Sequence, residues 1–183
     1  MRLFTLAAAL GGLLAASAPA MAGNFTLSSP DIKPGSTLSN KYVFNSFGCT
    51  GQNTSPALTW SNPPAGTKSF VVTVYDPDAP TGGGWWHWVL FNIPASVTSL
   101  PEGAGVAGKE PAGAVQSTTD FGGPGFGGAC PPKGDKAHRY IFTVFALKTD
   151  KIDLPATAMP DLVGYMTHAN MLGKASFIAK YGR

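Results

Sequence analysis

A chain of 183 residues that is 44% hydrophobic and only 13% charged has room for one ordinary domain and too rich a core for general disorder. Its 23 glycines and 16 prolines punctuate it too often for a helical bundle, and favour short strands joined by many turns. The net charge of +3 comes from scattered basic residues, so nucleic-acid binding is not expected; no apolar run beyond the first twenty-odd residues would make an integral membrane protein.

Residues 1–22 have the pattern of a secretory signal peptide. Arg2 supplies the positive start, Leu3 to Ala16 the apolar stretch, and Ala20-Met21-Ala22 a small-x-small site for cleavage after Ala22. The expected mature domain spans residues 23–183 and is periplasmic or secreted. At about 160 residues it can bury roughly two-thirds of its unfolded surface. Cys49 and Cys130 are an even pair in an exported chain, which favours a disulfide over a free thiol pair or a two-cysteine metal site. No Cys-x-x-Cys supports the metal reading.

In chain order, short strands are expected at Phe25–Ser28, Lys41–Phe44 and Ala57–Trp60, each bounded by Pro, Gly, Asn or Ser. Longer strands follow at Lys68–Tyr75, with Phe70, Val72 and Val74 on one side, and at Trp86–Ile93. Gly103–Gly128 has no periodicity and reads as a long loop of the functional kind. Arg139–Leu147 is a further strand. Pro160–Leu172 reads as a helix with Leu162, Tyr165, Met166, Ala169 and Leu172 on its apolar face, Pro160 at its start and Gly173 at its stop. A last strand is expected at Ser176–Lys180. The organisation is one mostly antiparallel β domain with a helix near the C-terminus.

Three segments carry groups capable of chemistry. Asp76-Pro77-Asp78-Ala79-Pro80 ends a strand in a proline-stiffened turn; the plain alternative is a turn with solvated aspartates. In Gly82-Gly-Gly-Trp85-Trp86-His87-Trp88, strict alternation puts Trp85, His87 and Val89 on one face and Trp86, Trp88 and Leu90 on the other. The glycine run would let backbone N–H groups approach a ligand. In Cys130-Pro131-Pro132 through His138-Arg139-Tyr140, His138 and Tyr140 share a face opposite Arg139. A carboxylate, two imidazoles, a tyrosine hydroxyl and a glycine-rich loop suit a small site for a phosphate-bearing or zwitterionic ligand. A nearby Asp76 would raise the pKa of His87.

These segments, with Asn53-x-Ser55-Pro56-x-Leu58-x-Trp60, Asn92-Ile-Pro94 and the closing Tyr181-Gly-Arg183, resemble the phosphatidylethanolamine-binding protein family in its bacterial Raf-kinase-inhibitor-like (YbhB/YbcL) branch. The resemblance covers nearly the whole mature chain. It implies a β-sandwich of two antiparallel sheets with a few short helices, and a pocket walled by Asp76, Ala79, Pro80, Trp85, His87, Pro131, Pro132, His138 and Tyr140. It implies a phosphate-like or phosphoethanolamine-type ligand and no cofactor. A protein partner and a homodimer are compatible with it, since family members act as inhibitors and signalling modulators.

The reading is therefore a binding or modulator protein rather than an enzyme. A small hydrolase using His87 or His138 with Asp76 is the first alternative, but the sequence offers no Gly-x-Ser-x-Gly nucleophile and pairs its cysteines. A metal site built from the same three residues would lack close ligand pairing. A protease inhibitor acting through an exposed Gly103–Gly128 loop is the second alternative.

Overall fold

The computed structural model describes residues 23–183. The expected signal peptide, residues 1–22, lies outside the described residues. Strands run β1 (Thr26–Ser28), β2 (Leu58–Ser61), β3 (Ser69–Asp76), β4 (Trp85–Pro94), β5 (Ser99–Leu100), β6 (Val115–Gln116), β7 (His138–Leu147) and β8 (Met171–Tyr181), with helix α1 (Pro160–Asn170) between the last two. They form two antiparallel sheets, β1-β2-β5 and β6-β4-β3-β7-β8. Among the described residues no helix is long and apolar enough to cross a membrane.

The apolar alternation of β3 explains the layering. Phe70, Val72 and Val74 face the small sheet and pack with Leu58, Trp60 and Leu100, together with Trp88, Leu90 and Phe142 from the neighbouring strands. Val71 faces the other way, joining Val89, Phe91, Phe145 and Leu147 beneath α1. The central strands are therefore buried on both faces, which is why they read as continuous apolar runs rather than as alternating ones.

Three expectations change. Lys41–Phe44 is not a strand: Asn40–Tyr42 is a single 3-10 turn, and only Val43 bridges another segment, at Ala129. The helix ends at Asn170 rather than Leu172, and Met171 starts β8 directly, so Gly173 lies within a strand. The helix also turns a different face inward. Pro160, Val163 and Thr167 are buried, while Leu162, Tyr165 and Ala169 are exposed. The outer sheet face fixes this rotation: Val163 and Met166 pack onto it, and Trp86 Nε1 donates to Asp161 Oδ1 at 3.1 Å.

Candidate functional site

At one end of the large sheet a cavity of about 210 Å³ opens between the turn after β3, the start of β4 and the segment leading into β7. All nine residues proposed for the wall lie on it: Asp76, Ala79, Pro80, Trp85, His87, Pro131, Pro132, His138 and Tyr140. Phe47, Thr81, Phe121 and Cys130 complete it. Two of these extra residues had a signal in the sequence. Cys130 adjoins Pro131, and a bridge to Cys49 necessarily carries Phe47, two residues earlier, to the same place. Thr81 and Phe121 had none, because turn and loop segments lack periodicity.

A β-bulge sets the position of His87. Along β3 and β4, Val74 pairs with Trp88 and Tyr75 with Trp86, leaving His87 without an opposite residue. The extra residue resets the alternation. Trp88 therefore packs in the inter-sheet core, His87 lies against Tyr140 at 5.1 Å between ring centroids, and Trp86 packs on the outer face. The expected separation of His87 from Trp88 fails here, since strict alternation holds only for an unbulged strand.

Asp76 closes β3 and is almost fully buried. Its Oδ1 accepts the Asp78 N–H at 2.8 Å, and its Oδ2 accepts from His138 Nδ1 at 2.7 Å. A carboxylate only accepts, so Nδ1 of His138 carries a proton. His138 Nε2 lies 3.4 Å from Asp135 Oδ2. Asp78 in turn grips Arg139, accepting from its backbone N–H at 2.8 Å, from Nε at 2.9 Å and from Nη2 at 2.7 Å. This fork holds the Asp78 carboxyl at about 2, below the usual range. The proline-stiffened turn is thus tied to the first residues of β7 by two adjacent acidic side chains.

His87 behaves differently from the sequence expectation. Its Nδ1 donates to Gly127 O at 2.7 Å, which makes Nε2 the acceptor nitrogen, with no hydrogen-bond partner among the described residues. Burial pushes its pKa down to about 4, outweighing the opposing influence of Asp76. The imidazole is therefore neutral at pH 7. The carboxylate that was expected to charge it pairs with His138 instead.

The glycines act on the wall indirectly. A Cβ at Gly127 would collide with the Phe121 ring, so its absence lets Phe121 lie over the carbonyl that orients His87. Gly82, Gly83 and Gly84 are not on the wall. Gly84, at φ 71°, makes room for Tyr75, whose hydroxyl donates to Gly83 O at 2.7 Å. Their role is turn geometry, because the chain must reverse closely against Tyr75.

Two donors on the wall have no partner among the described residues. Trp85 Nε1 and Tyr140 Oη are buried without a hydrogen bond. The Tyr140 hydroxyl approaches the Cys130 backbone without a well-formed bond, and burial raises its pKa above the ordinary tyrosine value. The wall includes no Lys or Arg. Among the described residues no group of three or more His, Cys, Asp or Glu is arranged to hold a metal. Cys49 and Cys130 form a disulfide, with their Cα atoms 6.0 Å apart.

Gly103–Gly128 is anchored to the sheets at several points, with Val106–Lys109 exposed between them. Its β6 pairs with β4, Ser55 Oγ accepts the Gly105 N–H at 2.8 Å, and Gln116 accepts from Trp88 Nε1 at 2.9 Å. Its Phe121 is part of the cavity wall.

Comparison with known proteins fits this architecture. The sequence profile described as phosphatidylethanolamine-binding protein matches residues 28–182. The UPF0098 protein YbcL of Escherichia coli (strain K12) is 57% identical over 164 residues, which is 88% of this chain and 90% of that protein. The UPF0098 protein YbhB of the same organism is 51% identical over 156 residues, covering 85% of this chain and 98% of YbhB. The crystal structure of E. coli YbcL, described as a new member of the mammalian PEBP family, superposes with a TM-score of 0.86 at 56% identity, covering 88% of this chain and 99% of that one. The chain belongs to the phosphatidylethanolamine-binding protein family.

Proposed function

We propose that this is an exported, non-catalytic binding protein whose cavity takes a small phosphate-like or phosphoethanolamine-type head group, and whose loaded state modulates a protein partner. Export rests on the signal pattern of residues 1–22 and agrees with the disulfide. The absence of catalysis rests on the site's chemistry. Among the described residues no hydroxyl or thiol is hydrogen-bonded to His87 or to the Asp76-oriented His138, and the wall cysteine is oxidised.

The observation that carries the ligand reading is the pair of orphaned donors, Trp85 N–H and Tyr140 O–H, on one wall. Buried donors without acceptors are costly, and an oxygen-rich ligand would satisfy them. The remaining polarity narrows the class. With no Lys or Arg on the wall and a carboxylate at Asp76, a bare dianion meets repulsion. A monoanion bearing its own O–H, or a zwitterion bearing an ammonium, instead offers its proton to His87 Nε2.

The test is a titration with phosphoethanolamine while following the imidazole resonances of His87 and His138. Both are expected to shift together and saturate. If neither responds at millimolar ligand, the assignment of the cavity is wrong.

A further inference from the structure

Phe47 stands at the cavity mouth in a conformation that its surroundings do not call for. It is 63% exposed. The Cys49 N–H donates to Ser46 O at 2.9 Å, closing a turn whose two central residues both have positive φ, 53° at Phe47 and 76° at Gly48. Such turns favour Asn-Gly or Asp-Gly, because a bulky first residue crowds its own backbone. Phenylalanine is thus unfavourable there for the turn, and unfavourable again as exposed apolar surface.

The ring is nevertheless held firmly. It stacks on Phe121 at 5.9 Å and 27°, and meets Phe44 edge-on at 5.4 Å. Its turn is joined to the opposite wall by Cys49–Cys130, immediately before Pro131. Arg183 spans the same two segments, donating from Nε to Pro131 O at 2.7 Å, from Nη1 to Gly48 O at 2.8 Å and from Nη2 to Phe47 O at 3.3 Å. A strained, exposed aromatic fixed by a covalent and a guanidinium link at a cavity rim is a preorganised contact surface. The cavity volume of about 210 Å³ equals about seven waters, more than one tetrahedral oxyanion displaces. The ligand has room to continue from its head toward the rim.

Resting on the anionic head-group reading above, we propose that Phe47 is a ligand-contacting, specificity-determining residue. It selects ligands whose polar head is joined directly to a flat aromatic group lying against the Phe47 ring. Arg183, which is not on the cavity wall, is a positioning residue that acts through the Phe47 turn.

The experiment is calorimetric titration of the chain at about pH 5, where inorganic phosphate, phenyl phosphate and butyl phosphate are all predominantly monoanions bearing an O–H. It uses the wild type, Phe47→Asn, Phe47→Tyr and Arg183→Met. Asparagine suits the left-handed turn and offsets part of the lost contacts with Phe44 and Phe121, so Phe47→Asn is expected to fold, as its thermal midpoint would show. Phenyl phosphate is expected to bind the wild type about tenfold more tightly than inorganic phosphate, with butyl phosphate gaining less. Phe47→Asn brings the ratio of phenyl phosphate to inorganic phosphate affinity to about one, Phe47→Tyr keeps the wild-type ratio, and Arg183→Met reduces it. An undiminished phenyl margin in Phe47→Asn, an equal loss for all three probes, or butyl matching phenyl overturns the selectivity; an unchanged margin in Arg183→Met overturns the positioning role. If the wild type binds none of the three, the head-group reading itself falls and this proposal falls with it, an outcome distinct from phosphate binding without aryl preference.

Discussion

Replacing His87 with asparagine removes a titrating group from the interior while keeping a side-chain N–H within reach of Gly127 O. In the folded wild type, burial lowers the imidazole from its ordinary 6.5 to about 4. Above the unfolded value His87 is neutral in both states and adds no pH dependence. Below it, the unfolded chain takes up a proton that the folded chain refuses, so stability falls with pH until folded His87 titrates near pH 4. An interval of about 2.5 pH units at about 1.36 kcal/mol each corresponds to a loss of about 3 kcal/mol. The assay is urea unfolding of wild type and His87→Asn at pH 7, 6, 5 and 4, without phosphate or other anions that could fill the cavity. The carboxylates titrate alike in both proteins and cancel in the difference. His87→Asn has some fixed offset from lost ring contacts with Tyr140 and Phe121. Relative to that offset, the wild type is expected to lose about 3 kcal/mol between pH 7 and pH 4. Stability curves that stay parallel over this range would refute the claim that burial keeps His87 neutral.

Two further outcomes test the scaffold. Cys49 and Cys130 lie 81 positions apart, so reduction should remove up to about 4.5 kcal/mol by the chain-entropy relation; denaturant midpoints with and without dithiothreitol measure it, and an unchanged midpoint contradicts the relation for this loop. On α1, Val163→Ala should cost about 1–2 kcal/mol because Val163 is buried on the sheet, whereas Tyr165→Lys should stay within about 0.5 kcal/mol. Thermal unfolding of both variants decides which helix face packs, and the reverse order would restore the apolar stripe read from periodicity.

What the sequence showed of this molecule follows from how locally each feature is encoded. β3 and β7 were legible because eight to ten consecutive residues carry the signal, and a sheet buried on both faces needs β-branched and aromatic residues throughout. β5 and β6 are two residues each, too short for any period to show. The faces of α1 and β4 misled for a shared reason: periodicity states which residues are apolar but not which neighbours they meet. Leu162 and Tyr165 are large and apolar enough to suggest a buried stripe, yet it is Val163 that points at the outer sheet face. The bulge at His87 is likewise set by its partners, because Val74 and Tyr75 remain paired with Trp88 and Trp86 on either side of it.

The site shows the same division. Its nine residues were named from motif strings, and the turns bring them to one wall. The charge state of His87 was not legible, since it depends on burial and on a Gly127 carbonyl forty residues away. Asp76 could have served either imidazole by sequence. Because the bulge sends His87 toward Gly127, while β7 begins with His138 beside the turn after β3, the carboxylate pairs with His138. Thus one extra residue in β4 decides which histidine pairs with Asp76 and which is oriented by the Gly127 carbonyl instead.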